Sequence, residues 1–306
     1  MKKEQFLKNL SVPTGVIDVV LDTDAYNEID DQFAICYMLK SPERFNVKAI
    51  LAAPFLNSRS TSPEEGMVKS YEEIHKLLEL LEMSELKEQV YCGSRKYLSD
   101  EKTPVISPAA SYLAELAKEY SPEKPLYVVA IGAITNVASA LLLNPDMREN
   151  TVIVWLGGHG EHIPAPGREF NMQQDIAAAR VVFGSGVPLV QLPCFGVVDA
   201  FSSSKYELTH WLSGKNALCD YLLAGTVEEA DSYAEGKPWT RVIWDVTAVG
   251  WLLNDGERFM SSRITDRFMP EYDKSYSYEA GAAPMRYVYH IERDFLFEDL
   301  FEKLAK

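Results

Sequence analysis

Val20-Leu21-Asp22-Thr23-Asp24-Ala25-Tyr26-Asn27-Glu28-Ile29-Asp30-Asp31-Gln32-Phe33-Ala34-Ile35 decides the reading of this 306-residue chain. The apolar run Val16–Leu21 ends in Asp22 and Asp24. A short loop then delivers Asp30 and Asp31 to the head of an apolar-periodic segment, Phe33–Leu39. Apolar run, acidic loop, then helix is the layout of a ligand site at the carboxyl end of a parallel strand. Four aspartates this close raise one another's pKa values unless a counter-charge joins them. A hard cation supplies one. Calcium accepts about six to eight oxygens in irregular geometry and suits such a loop better than magnesium. The plain alternative makes Asp30 and Asp31 first-turn helix acids and Asp22 or Asp24 a turn residue.

Outward from this stretch the pattern alternates. Short apolar runs at Val16–Leu21, Val47–Ala52, Leu126–Ile131, Val152–Trp155 and Leu189–Leu192 read as parallel strands covered on both faces. Helices are expected at Gln32–Leu39, Pro63–Leu81, Pro108–Ala117, Asn136–Leu143 and Ile176–Phe183, with Asn144-Pro145 and Gly184-Ser185-Gly186 as stop signals. The expected fold class is α/β, a single open, mostly parallel sheet flanked by helices with right-handed crossovers. No linker, repeat or low-complexity block interrupts the chain, so residues 1–306 are expected to form one domain. Residues 205–232 are acid-rich and helical, and Ser232–Thr240 is rich in Tyr, Trp, Gly and Pro. The segment 200–242 therefore reads as helices and a loop covering a cleft.

Composition excludes several function classes. A hydrophobic content of 47% suffices for a sizeable core, yet no apolar run approaches the roughly 20 residues of a membrane helix. Met1–Leu10 carries lysines but lacks a signal peptide's apolar stretch, which predicts a cytoplasmic protein without a membrane partner. A net charge of −15 argues against binding a nucleic-acid backbone, which needs a basic footprint. Cys36, Cys92, Cys194 and Cys219 are scattered within or beside apolar segments and form no C-x-x-C pair. Buried thiols are the better reading than zinc ligands or disulfides.

Four motifs in order carry a resemblance. The opening stretch keeps Asp22-Thr23-Asp24, Asp30-Asp31 and Ala34-Ile35, and resembles the nucleoside hydrolase signature D-T-D-P-G-x-D-D-x-x-A-[IL], with a spacer two residues longer. Ile131-Gly132-Ala133-Ile134-Thr135-Asn136 resembles G-P-L-T-N. Glu169-Phe170-Asn171, followed by Asp175, resembles E-F-N-x-x-x-D. Trp244-Asp245-Val246-Thr247-Ala248-Val249 stands where the family often has H-D-P-x-A-V. The resemblance spans about Val16 to beyond Ala248.

The resemblance implies a Rossmann-like core and calcium-dependent hydrolysis of a ribonucleoside's N-glycosidic bond, giving ribose and free base. It places calcium on Asp24, Asp31, Asp245 and the Ile131 carbonyl, with Asp24 also the base that helps activate water. Asp245 stands among Ile243, Trp244 and Val246, where an ionised group is costly unless paired or metal-bound; a buried helix N-cap is its alternative. An oxocarbenium-like transition state is implied, as in other glycosidic cleavages. Asp30 is assigned to the ribose 2′-hydroxyl, Asn171 to the 2′/3′ diol and Glu169 to the 5′-hydroxyl. Asn57 is matched more loosely near the diol, with an ordinary turn asparagine as its alternative. Phe170 is expected to wall the ribose pocket or to sit in the core. Trp244 replaces the histidine proposed as the leaving-group acid, which favours purines if it stacks on the base; core packing is its alternative. His162 or His159, in the stretch Gly157–His162, can supply a missing polar group, and His162 is the candidate carried for the 5′-hydroxyl or the base; a surface histidine is its alternative. Family members are commonly homodimers or homotetramers, and either is expected.

Two rival readings remain. A haloacid-dehalogenase-like phosphatase also has a D-x-D loop after its first strand, but it wants Thr or Val where Tyr26 stands. A ribose- or nucleoside-binding protein of the same fold, with little or no turnover, is the other, given the longer loop and the missing histidine.

Overall fold

Branched apolar residues crowd a helix but sit easily on a pleated sheet covered on both faces, so the short runs become buried parallel strands. The computed structural model describes residues 1–278 and 281–306. In chain order the strands are β1 (Ile17–Thr23), β2 (Phe45–Ala52), β3 (Val90–Cys92), β4 (Leu126–Ala130), β5 (Thr151–Leu156) and β6 (Leu189–Leu192). After them come β7 (Ser202–Ser204), β8 (Thr240–Val242), β9 (Met260–Thr265), β10 (Phe268–Pro270), β11 (Tyr276–Tyr278) and β12 (Met285–Ile291). Eight of them form one sheet in the order β3-β2-β1-β4-β5-β6-β12-β9. All neighbours pair parallel except β9, which runs antiparallel to β12 at the edge. Every residue of β4, β5 and β6 is buried.

Helices cover both faces, giving two apolar layers. On one lies helix Asp30–Leu39, buried at all ten positions. On the other pack helices Pro108–Leu116, Thr135–Leu143 and Ile176–Gly184. Ser62, Ser107 and Asp175 cap three helix starts, each side chain accepting from a backbone N–H that would otherwise lack a partner. The α/β class and the mostly parallel sheet expected from the sequence are what the fold shows.

The chain leaves β1 toward β2 on one side and toward β4 on the other, so a crevice opens at their carboxyl ends. Both neighbours pin the end of β1. The Ile131 amide donates to the Asp22 carbonyl at 2.9 Å, and the Ala53 amide donates to the Thr23 carbonyl at 2.8 Å. Asp24 thus emerges where the strand order reverses. Near this end, Gly225 of helix Ala217–Ala234 faces Ile29, and β8, paired antiparallel with β7, brings Arg241 to the crevice. No described helix is long and apolar enough to cross a membrane. All four cysteines are free, with Cys36, Cys194 and Cys219 buried and Cys92 half-buried.

Candidate active site

Several loops and one helix start converge on the crevice. Asp24 follows β1, and Asp30 and Asp31 open the first buried helix. Asp245 precedes helix Val246–Leu252, which packs against helix Asp30–Leu39. One carboxylate oxygen from each of Asp30, Asp31 and Asp245 lies within 4.8 Å of the other two. Asp24 stands beside this group, and its two oxygens are sealed from solvent with no hydrogen-bond partner. Gly132 makes the approach possible: a Cβ there would lie 2.9 Å from Asp24 Cγ and Oδ1. Thr23 donates its hydroxyl to Asp31 at 2.5 Å, and the Asn136 amide donates to Asp22 at 2.8 Å.

Burial dominates the electrostatics. It pushes the carboxyl pKa of Asp22 and of Asp30 up to about 7. Asp24, Asp31 and Asp245 are raised well above the ordinary range, by burial first and then by one another and Asp30. Such a cluster is held together by protons or by a cation. Carboxylates alone, around a carbonyl, form the donor set of a hard divalent ion rather than of zinc or copper. Next to Gly132, which faces Asp24, Ile131 offers a backbone carbonyl. It accepts from the Asn171 amide at 3.0 Å and keeps a second lone pair.

A cavity of about 300 Å³ opens in front of the aspartates, at the low end of the range for small-ligand sites. Asp30, Ile131, Glu169, Phe170, Asn171, Trp244 and Asp245 all line it. Glu169 caps helix Phe170–Gln174, accepting from the amides of Gly158, Asn171 and Met172 at 2.8–2.9 Å. Burial raises its pKa against these three donors and the Cys194 thiol. Asn171 also donates to the Leu156 carbonyl, at 3.0 Å. Both residues are thus rigidly placed by backbone partners before any ligand arrives.

Four expected residues are absent from the lining: Asp24 and Asp31 stay in the buried aspartate group, and Asn57 and His162 lie elsewhere. Asn57 is not in the lining: its side chain accepts from the Arg59 amide in a local turn and donates to Asn27, so it acts as a turn asparagine behind a lining residue. His162 is exposed, and its ring lies against Gly160 and Gly196 rather than in the cavity. The lining histidine is His159. The reason is local: His159 is fixed by a backbone bond from its amide to Pro166, while the following turn carries His162 outward.

Sequence reasoning missed Asn27, Glu28, Leu156, Cys194, Phe195 and Arg241, which complete the wall. Arg241, in β8, ion-pairs with Glu28 of the long loop, with Glu229 at 3.1 Å and with Asp30 at 3.7 Å. Burial works against its charge, but those three acids outweigh it and keep the guanidinium protonated. Glu229 also pairs with Arg59 at 3.2 Å, so the 200–242 segment is tied to the loop of the aspartates. One signal was available: a lone arginine beside the Trp244-Asp245 motif, in an acid-rich region, needs partners.

Fold and site together define an α/β protein with a cluster of buried carboxylates beside a pocket at the switch point of its sheet. The chain belongs to the inosine-uridine preferring nucleoside hydrolase family, whose profile matches residues 19–283. That family consists of N-glycosyl hydrolases acting on ribonucleosides. A pyrimidine-specific ribonucleoside hydrolase of Escherichia coli is 28% identical over 198 residues, 57% of this chain and 59% of the relative's own length. The chain thus aligns with less than two thirds of that relative. Among solved structures, a plant nucleoside hydrolase shares the fold with a TM-score of 0.74 at 20% identity, over 94% of this chain and 99% of the other. A purine-preferring ribonucleoside hydrolase from Gardnerella vaginalis has the same TM-score at 17% identity, over 94% and 98%.

Proposed function

We propose that the protein is a calcium-dependent ribonucleoside N-ribohydrolase. The observation that carries this reading is Asp24, whose two buried oxygens have no protein partner while three more carboxylates crowd beside it. An arrangement so costly without a counter-charge is what a cation site requires. Asp24, Asp31, Asp245 and the Ile131 carbonyl would hold the ion, and when bound it supplies positive charge that offsets the cluster and polarises an oxygen beside it.

Asp24 takes the proton of the attacking water in this reading, because both its oxygens are free of protein hydrogen bonds and it stands in the buried aspartate group behind the lining residues Asp30 and Asp245. Asp30 sits at the cavity wall, within reach of a sugar hydroxyl, and Arg241 favours its ionised form. Asn171 and Glu169 shape the ribose site from fixed positions, so little is reorganised as the ring flattens toward the oxocarbenium-like state. Asp24→Asn should lower kcat by about 10²–10⁴-fold, the usual worth of a general base. Turnover within threefold of the parent would remove Asp24 from that role.

The aromatic wall favours a purine. Trp244 lines the cavity, edge-on to Phe195 with ring centroids 5.4 Å apart. A purine presents N7 as a protonation site and a broad face for such rings. Kinship does not choose the base: the Escherichia coli relative is named pyrimidine-specific and the Gardnerella vaginalis structure purine-preferring. A binding protein with little turnover is the second reading, supported by the Arg241–Glu28 pair that ties down the lengthened loop. Ribose release separates the two. The cytoplasm, and a homodimer or homotetramer, complete the proposal.

A further inference from the structure

His159 has a defined tautomer. Its Nδ1 accepts the backbone N–H of Phe195 at 3.3 Å, so the neutral ring carries its proton on Nε2. Among the described residues nothing bonds Nε2, and unlike Nε2 of His75 it is not sealed from solvent. The ring lines the cavity and lies 4.9 Å, centroid to centroid, from Phe195, which in turn meets Trp244. Its backbone is pinned as well: its amide donates to Pro166, and its carbonyl accepts from the Tyr276 hydroxyl at 3.4 Å. Partial burial lowers the imidazole pKa against the opposing pull of Asp199, which keeps the ring neutral near pH 7. The cavity wall therefore contains a fixed neutral donor that continues the aromatic series Trp244, Phe195.

We infer that His159 holds the departing base, donating from Nε2 to a ring acceptor such as purine N7 while Phe195 and Trp244 pack against the ring. This rests on the ribonucleoside reading above. As the C1′–N9 bond breaks, its electron pair moves into the purine and N7 becomes a better acceptor. The donated hydrogen bond is then stronger in the transition state than in the ground state, which is the condition for raising kcat. Water gives hydroxide to C1′ and its remaining proton to Asp24; the purine leaves with the C1′–N9 electron pair and takes a proton from solvent, and Asp24 returns its proton to solvent. His159 ends the cycle unchanged.

Two substitutions separate donation from structure. Asn at 159 places an amide oxygen near the old Nδ1, keeping the acceptor for the Phe195 N–H but removing the donor. Gln places an amide N–H near the old Nε2. The parent and both variants are assayed on inosine and on p-nitrophenyl β-D-ribofuranoside, whose leaving group needs no hydrogen bond. His159→Asn should lower kcat/KM for inosine by about 10–100-fold, the range of a hydrogen bond to a group gaining charge. It should change the aryl riboside by less than about threefold, and His159→Gln should recover most of the inosine loss. Equal losses on both substrates, no loss in His159→Asn, or a Gln variant as slow as Asn would each overturn the assignment. A parent protein that releases ribose from neither substrate would instead bring down the ribohydrolase reading, and this inference with it.

Discussion

Gly132→Ala probes the site without touching a charge. The added Cβ would lie 2.9 Å from Asp24 Cγ and Oδ1 and 3.2 Å from Asp24 Cβ. Carbon contacts settle at about 3.5 Å, so the Asp24 side chain must retreat by roughly 0.5 Å. Gly132 is not among the residues of positive φ, so its backbone accepts alanine and the effect is steric. Active sites tolerate about 0.5 Å of displacement, and a 1 Å error costs on the order of 100-fold. The expected result is therefore about a 10-fold fall in kcat with a weaker calcium affinity, and overpacking that costs about 1–3 kcal/mol of stability. Initial rates of ribose release, calcium titration by calorimetry and thermal melts measure the three quantities. An alanine variant with parental kcat and parental calcium affinity would show that Asp24 is not held where the reaction needs it.

Further outcomes follow from the same geometry. Calcium titration of chelator-treated protein should show one tight site, lost in Asp31→Asn; unchanged binding in that variant would remove Asp31 from the ligand set. Asp22 and Asp30 titrate near 7 in the folded chain, where an exposed aspartate titrates near 4, so the folded state binds more protons between those values. The contribution of these two groups to the stability of the chelated protein is therefore full below about pH 4 and is lost as pH rises through about 7. Calcium should raise the melting temperature more at pH 7.5 than at pH 5, and a chelated protein that grows more stable over that interval would contradict the burial argument. If Trp244 serves the base, kcat/KM for inosine should exceed that for uridine, and a clear uridine preference would refute the tryptophan argument.

What was legible in the sequence was what lies contiguous along it. Asp22 to Asp31 could be read as a site because a strand end, a loop and a helix start follow one another within ten residues. The buried runs of β4, β5 and β6 were visible for the same reason, since strands covered on both faces are apolar throughout. β3 is only three residues long, and β12 and the edge strand β9 beside it mix polar and apolar residues, so none was foreseen. The aromatic wall of the cavity was also illegible as a whole, because His159, Phe195 and Trp244 come from three separate loops. Arg241 acquires meaning only when β8 meets the loop at Glu28. Asn57 misled because an asparagine after a strand serves equally well as a turn residue, which is how this one is bonded.

The central claim is that a cation held by the aspartates, together with Asp24, hydrolyses a ribonucleoside. Purified protein stripped with a chelator, then given back calcium in steps, is to be assayed for free ribose released from inosine. The account predicts no release from the stripped protein, and release that rises with calcium and saturates at one equivalent of bound ion. Ribose release that is indifferent to the chelator, or none at any calcium concentration with inosine, uridine and their relatives, would contradict it.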